Sequence, residues 1–104
     1  MSISHTPHDL LAGNKYIFHN DSGHGWLEVH RGDLVELDIE FMISPCSCQK
    51  DEKVFLEEDC DLPRFFRAYE EHFGISLSMG NIVLANVVYD GDDSPIRGYA
   101  SYRP

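Results

Sequence analysis

The chain has 104 residues, 42% of them hydrophobic, which suits one domain with a core that needs no disulfide or metal staple. Eight Lys and Arg stand against eighteen Asp and Glu, a formal net charge of −10. That balance disfavours direct contact with nucleic-acid phosphates or anionic lipid and favours basic surfaces.

No stretch approaches the roughly 20 apolar residues that a membrane span needs. The opening MSISHTPHDLL lacks the basic start and apolar run of a signal peptide. Three cysteines, Cys46, Cys48 and Cys60, are a poor disulfide framework. A cytoplasmic setting is therefore expected.

Residues 1–13 are polar and read as a flexible N-terminal arm, ahead of a single α+β domain over 14–104. KYIFH, residues 15–19, and WLEVH, residues 26–30, are rich in β-formers. The polar, Gly-bearing NDSGHG between them predicts an antiparallel hairpin. In the second run Leu27 and Val29 share one face, and Trp26, Glu28 and His30 share the other. RGDLVELDI, residues 31–39, changes to a helical period through Leu34 and Leu37.

ISPCSCQ, residues 43–49, reads as an extended segment that Pro45 places at an edge or a strand start. KVFLEE, residues 53–58, returns as its partner. DLPRFFRAYEEHFG, residues 61–74, is the clearest element. Leu62, Phe65, Phe66, Tyr69 and Phe73 recur on one helical face. Asp61 suits the N-cap, Pro63 the first turn and Gly74 the stop. ISLSM and IVLANVVY follow as strands about Gly80-Asn81, and RGYASY, residues 97–102, closes as a strand with Ile96 and Ala100 inward. The order ββα-ββα-ββ predicts an antiparallel sheet of hairpins with two helices on one face, an α+β two-layer sandwich.

The loop HNDSGHGW offers His19, Asp21 and His24 as ligands for a metal-binding or metal-dependent enzymatic site, the alternative to a binding role. Turn chemistry explains the same residues, with Gly23 and Gly25 supplying backbone angles that other residues avoid. Cys46 and Cys48, two apart on a strand, share a face, yet no second pair completes a zinc knuckle. Cys60 stands among Glu57, Glu58, Asp59 and Asp61, whose charge disfavours a thiolate. No Gly-rich phosphate loop or nucleophile elbow is present. These readings assign no catalytic residue, no metal ligand and no cofactor.

What remains is surface. From Glu28 to Asp61 there are eleven acidic residues and three basic ones. Trp26, on a strand face expected to lie free of helices, and Tyr99 on the last strand are the aromatic anchors that interfaces favour. The predicted partner-binding set is Trp26, Glu28, Glu36, Asp38, Glu40, Glu57, Glu58, Asp59 and Tyr99.

Three segments, GHGWLEV (residues 23–29), VFLEEDCDLPRF (54–65) and SPIRGYASY (94–102), resemble a group of small proteins encoded on phages, plasmids and integrated elements. Across residues 15–102 the pattern departs at Cys46 and Cys48. The resemblance carries no catalytic residues. It implies an anti-defence role, as in anti-CRISPR or anti-restriction proteins. The expectation is a non-enzymatic acidic protein that mimics nucleic acid and occupies a basic nucleic-acid-binding surface on a host defence complex. It would bind no nucleic acid directly and no membrane, and an exposed β-edge would allow a homodimer.

Overall fold

The computed structural model describes residues 16–76, 82–92 and 94–104. The expected N-terminal arm, and residues 77–81 of the predicted ISLSM strand and turn, lie outside the described residues.

The described chain is α+β, with a six-stranded mixed sheet and two α-helices. In chain order the elements are β1 (Tyr16–Asn20), β2 (Gly25–His30), α1 (Arg31–Glu36), β3 (Cys48–Lys50), β4 (Lys53–Glu57), α2 (Leu62–Phe73), β5 (Val83–Val88), a 3-10 turn (Pro95–Gly98) and β6 (Ala100–Ser101). The sheet order is β5-β1-β2-β4-β3-β6. β1 with β2, and β3 with β4, form antiparallel pairs joined by short turns. β5 instead lies parallel to β1 at one edge, and β6 pairs with β3 at the other. The last two strands are therefore not a hairpin, and the sheet is not wholly antiparallel.

One face of the sheet carries the main core. Leu27 and Val29 of β2 and Val54 and Leu56 of β4 pack under Leu62, Phe65 and Tyr69 of α2, with Leu34 of α1 in the same cluster. The 3.6-residue period of α2 and the two-residue period of the strands meet here, which is why the helix could be read from sequence. Gly74 ends α2 in the left-handed region (φ 69°), and its N–H donates to the Glu70 carbonyl.

The opposite face is covered as well. Trp26, Phe55 and Ile96 form a second buried cluster, with Cys48 and Tyr99 packed against it. The segment expected as strand 97–102 begins as the 3-10 turn, with Pro95 in its first turn and the Ser94 hydroxyl accepting the Ile96 N–H. That turn drops Ile96 onto Trp26 and Phe55. Ile96 is buried as expected, whereas Ala100 is exposed.

The predicted extended segment 43–49 is a strand only from Cys48. Asp61 explains the shortfall. Its carboxylate does not cap α2. It turns inward, where it accepts from the Ser44 N–H (3.0 Å), the Ser44 hydroxyl (2.8 Å) and the Ser47 hydroxyl. Ser47 in turn accepts the Glu57 N–H at 3.0 Å. Side-chain bonds of this kind compete with ladder formation.

Asp61→Ala would strand three donors around a fully buried site, at about 1–3 kcal/mol for each group left unsatisfied. Urea denaturation should show a loss of about 3 kcal/mol or more. Tyr69 is the contrasting case. Its buried hydroxyl is the one buried side-chain polar atom among the described residues without a hydrogen-bond partner, and burial pushes its pKa up to about 12. Tyr69→Phe should leave stability unchanged or raise it by up to about 1 kcal/mol.

Candidate functional site

The hairpin tip between β1 and β2 is a clamp. Asp21 accepts the N–H of Gly23 (2.9 Å) and of His24 (3.0 Å) through Oδ1. Arg97 donates to both carboxylate oxygens, Nε to Oδ2 at 2.6 Å and Nη2 to Oδ1 at 2.9 Å. The Asp21 side chain is 0% exposed. Ser22 adds backbone and hydroxyl bonds to the Gly91 carbonyl. The tip thus holds Gly91 and the 3-10 turn that carries Arg97 against the second sheet face.

The glycines serve close approach, not unusual backbone angles. A Cβ on Gly23 would lie 2.9 Å from Arg97 Nη2, and one on Gly25 would lie 2.5 Å from the Phe18 ring and Glu58. Neither residue has positive φ.

The three residues proposed as metal ligands do not converge. Asp21 is occupied by Arg97, His24 Nδ1 lies 3.2 Å from Glu57, and His19 turns to Glu28. Among the described residues no group of three His, Cys, Asp or Glu is placed to hold a metal ion.

His19 is instead the centre of a polar network on the second face. The register places His19 opposite Trp26 and Glu28 opposite Phe55. Nε2 of His19 lies 2.7 Å from Glu28 Oε1, and Nδ1 lies 3.0 Å from the Tyr89 hydroxyl. Lys53 Nζ is 3.3 Å from the other Glu28 oxygen. A carboxylate only accepts, so Nε2–H donates to Glu28, and in the neutral ring Nδ1 then accepts from the Tyr89 hydroxyl. Burial raises the Tyr89 pKa, which keeps the phenol a donor.

These groups line a cavity of about 430 Å³ with Lys50, Phe55, Ile96 and Tyr99. The chain has three lysines, Lys15, Lys50 and Lys53, and two of them stand here. The Lys50 ammonium sits 5.1 Å over the Tyr99 ring. A larger groove, about 600 Å³, runs beside α2 along Met42, Cys60, Arg64 and His72. Every polar side chain lining it is exposed, so it lacks the enclosed polar groups that orient a ligand.

The predicted partner-binding residues do not share one surface. Trp26 is 4% exposed under the 3-10 turn, which overturns its expected place as a solvent-facing anchor. Glu57 is 6% exposed. Its Oε1 accepts the Asp59 N–H (2.8 Å) and the Cys60 N–H (3.1 Å), so it is a turn cap and not part of an open acidic patch. Glu28 is half-buried in the histidine network, and Tyr99 is half-buried against Phe55. Glu40 is half-buried and its carbonyl accepts the Tyr102 hydroxyl. Glu36 lies 4.0 Å from His72. Asp38, Glu58 and Asp59 are exposed, with no ion pair to another described residue.

The cysteines separate differently from the sequence reading. Cys48 is half-buried on the Trp26 face, while Cys46 precedes the strand and is exposed. The bonds of Ser44 and Ser47 to Asp61 bring the Cys46 turn beside Cys60, a pairing that sequence reasoning did not make.

No family model, curated protein or solved structure matches the chain. No helix among the described residues is long and apolar enough to cross a membrane.

The clamp gives a pH test. The Arg97 hydrogen bond, aided by the two backbone N–H groups and opposed by burial, holds the Asp21 carboxyl well below its ordinary value of 3.8. A depressed carboxyl stabilises the fold above its unfolded pKa, and that stabilisation is lost as pH falls through the folded value. Asp21→Asn should lower Tm at neutral pH. Below pH 3.8 its Tm should fall less steeply than that of the unaltered protein. Parallel Tm–pH curves would show that the clamp does not titrate as described.

Proposed function

We propose that the chain is a non-enzymatic binding protein that presents an acidic surface to a cationic counterpart. One observation carries this reading: the carboxylates that the fold takes inside already have partners inside. Asp21 has Arg97, Glu57 has His24 and two turn N–H groups, and Asp61 has Ser44 and Ser47. Several basic groups are committed to pairs of this kind, Arg97 to Asp21, Arg64 to Asp61 and Lys53 to Glu28. The surplus behind the −10 net charge is therefore external, and Asp38 and the Glu58-Asp59 turn are among its exposed members.

The likeness to mobile-element proteins extends the proposal to a partner. The counterpart is a basic nucleic-acid-binding surface on a CRISPR-Cas or restriction complex, and the chain acts as an inhibitor by occupying it. Purified complexes of both kinds, assayed for nucleic-acid binding by mobility shift, test this. Adding the protein should displace nucleic acid, with an effect that weakens between about 50 and 200 mM salt. Reversal of Glu58 and Asp59 to Lys together with Asp38→Asn, chosen because Asp38 has a left-handed backbone (φ 59°), should cut potency about ten-fold or more with Tm unchanged. Glu57 stays intact in this variant, because its loss would open the turn. Full potency in the reversed variant would remove the acidic surface from the account.

A second reading is favoured by the 430 Å³ cavity and the His19–Glu28–Tyr89 network in its wall. Aromatic walls with convergent polar groups suit a small aromatic molecule. Ligand-observed NMR with a panel of small aromatic acids and amines tests it. Binders lost in Tyr99→Ala would support the reading, and a panel without binders would discard it.

A further inference from the structure

Cys46 and Cys60 are fourteen positions apart in sequence, yet the bonds of Ser44 and Ser47 to Asp61 hold their two turns side by side, and Cys46 raises the pKa of the Cys60 thiol. Both are exposed. Their backbones are held in place by bonds that involve neither sulfur. Ser44 and Ser47, on either side of Cys46, are fastened to Asp61, the residue after Cys60. The Cys46 N–H donates to the Ser44 hydroxyl at 3.1 Å. The Cys60 N–H donates to Glu57 Oε1 at 3.1 Å and to the Glu57 carbonyl at 3.2 Å. The fold has thus brought two accessible sulfurs together on two pinned turns.

The third cysteine is placed otherwise. Cys48 lies in β3 opposite Phe55 and Ser101, and packs against the Trp26 cluster. Burial raises its pKa. It makes a poor competitor for either partner.

We propose that Cys46 and Cys60 are a modification site, a thiol pair that a peroxide converts to an intrachain disulfide and that a dithiol reverses. The Cys46 sulfur attacks the peroxide O–O bond, becomes a sulfenic acid and releases one water. The Cys60 sulfur then displaces the sulfenic oxygen as a second water and forms the S–S bond. Two thiol protons and two electrons leave the pair, and one peroxide is reduced to two waters.

The order of attack follows from surroundings. Cys46, desolvation and the Glu57 carboxylate all raise the Cys60 pKa, and Glu57 is fixed beside Cys60 by accepting its N–H at 3.1 Å. That carboxylate stays in place when Cys46 is replaced, so Cys60 is the slower thiol toward peroxide and resolves the sulfenic acid formed on Cys46. The product closes a loop from the turn before β3 to the turn before α2. That second turn carries Glu58 and Asp59, so the bond would fix the acidic turn whatever its partner.

The test uses the full chain and needs no partner. Treatment with hydrogen peroxide should remove two hydrogens from the intact mass without forming dimers. Peptide mapping should find Cys46 joined to Cys60, with Cys48 still free for alkylation after denaturation, and dithiothreitol should restore the starting mass. Tm of the oxidised form should rise, because the cross-link restricts the unfolded chain. In Cys60→Ser, dimedone should trap a sulfenic acid on Cys46. In Cys46→Ser, labelling of Cys60 should be at least ten-fold slower. A bond through Cys48, a link between chains, or overoxidation without an intrachain link would overturn the proposal. Equal dimedone labelling of the two single variants would overturn the assigned order.

Discussion

The pairing of Asp21 with Arg97 decides what the second face of this sheet is. The two residues are 76 positions apart, and the carboxylate has no exposure of its own. Arg97 reaches it with two nitrogens in the fork geometry that suits a carboxylate. Its guanidinium then lies 5.9 Å over the Trp26 ring. The arginine therefore closes the β1–β2 tip, anchors the 3-10 turn and covers an indole at once. Without it, Ile96 would have no fixed seat on Trp26 and Phe55, and the cavity beside His19 would lose a wall. A buried ion pair need not add net stability over an apolar contact, but breaking one partner leaves an uncompensated charge. The clamp is best understood as a device that specifies which segment lies on that face.

Asp61 has the same logic on the other side of the chain. A residue suited to an N-cap sits at the N-cap position, and its backbone carbonyl receives the Phe65 N–H. Its side chain is taken by Ser44 and Ser47 instead. Three donors on one carboxylate compensate for burying it, and they hold an irregular segment that has little apolar surface to hold itself. The same bonds bring Cys46 to Cys60. A local preference for capping was thus overridden by a long-range polar contact, and the functional candidate at the thiols is a by-product of that override.

These two carboxylates also explain what could be read from sequence. The long helix was legible because Leu62, Phe65 and Tyr69 obey one local period, and the hairpins about residues 21–24 and 51–52 because each closes over a short turn. The parallel pairing of β5 with β1 was not, since no local pattern encodes a partner more than sixty residues away. The free face was misread for a different reason. Alternation in WLEVH separates two faces but does not say which of them meets water. The clearer signal was in β4, where Val54, Phe55 and Leu56 are all buried in succession. Three adjacent apolar residues in a strand mean apolar neighbours on both sides of the sheet. Phe55 lies on the Trp26 side, so a cover over Trp26 was implied. The His19–Glu28–Tyr89 network needs the placement of β5 and was beyond any reading of the hairpin alone.

The charge pattern acquires a structural meaning from this arrangement. A chain with eighteen acidic and eight basic residues could have left its few cations outside to soften the surface. Instead Arg97 and Lys53 reach inward to buried or half-buried carboxylates, and Arg31 lies 5.0 Å over the Tyr102 ring while donating to Gln49 and the Arg103 carbonyl. Part of the positive charge is thus used to assemble the fold around Asp21 and Glu28, while Asp38, Glu58 and Asp59 are left for solvent. Self-repulsion of that surface opposes compactness. The apolar core resists it, while the clamp and the serine-bound carboxylate fix which segments lie where, and none of these draws on the side chains of Glu58 or Asp59. Stability and surface potential are thereby assigned to different residues, so the acidic turn can be altered, or fixed by a neighbouring thiol pair, without disturbing what holds the chain together.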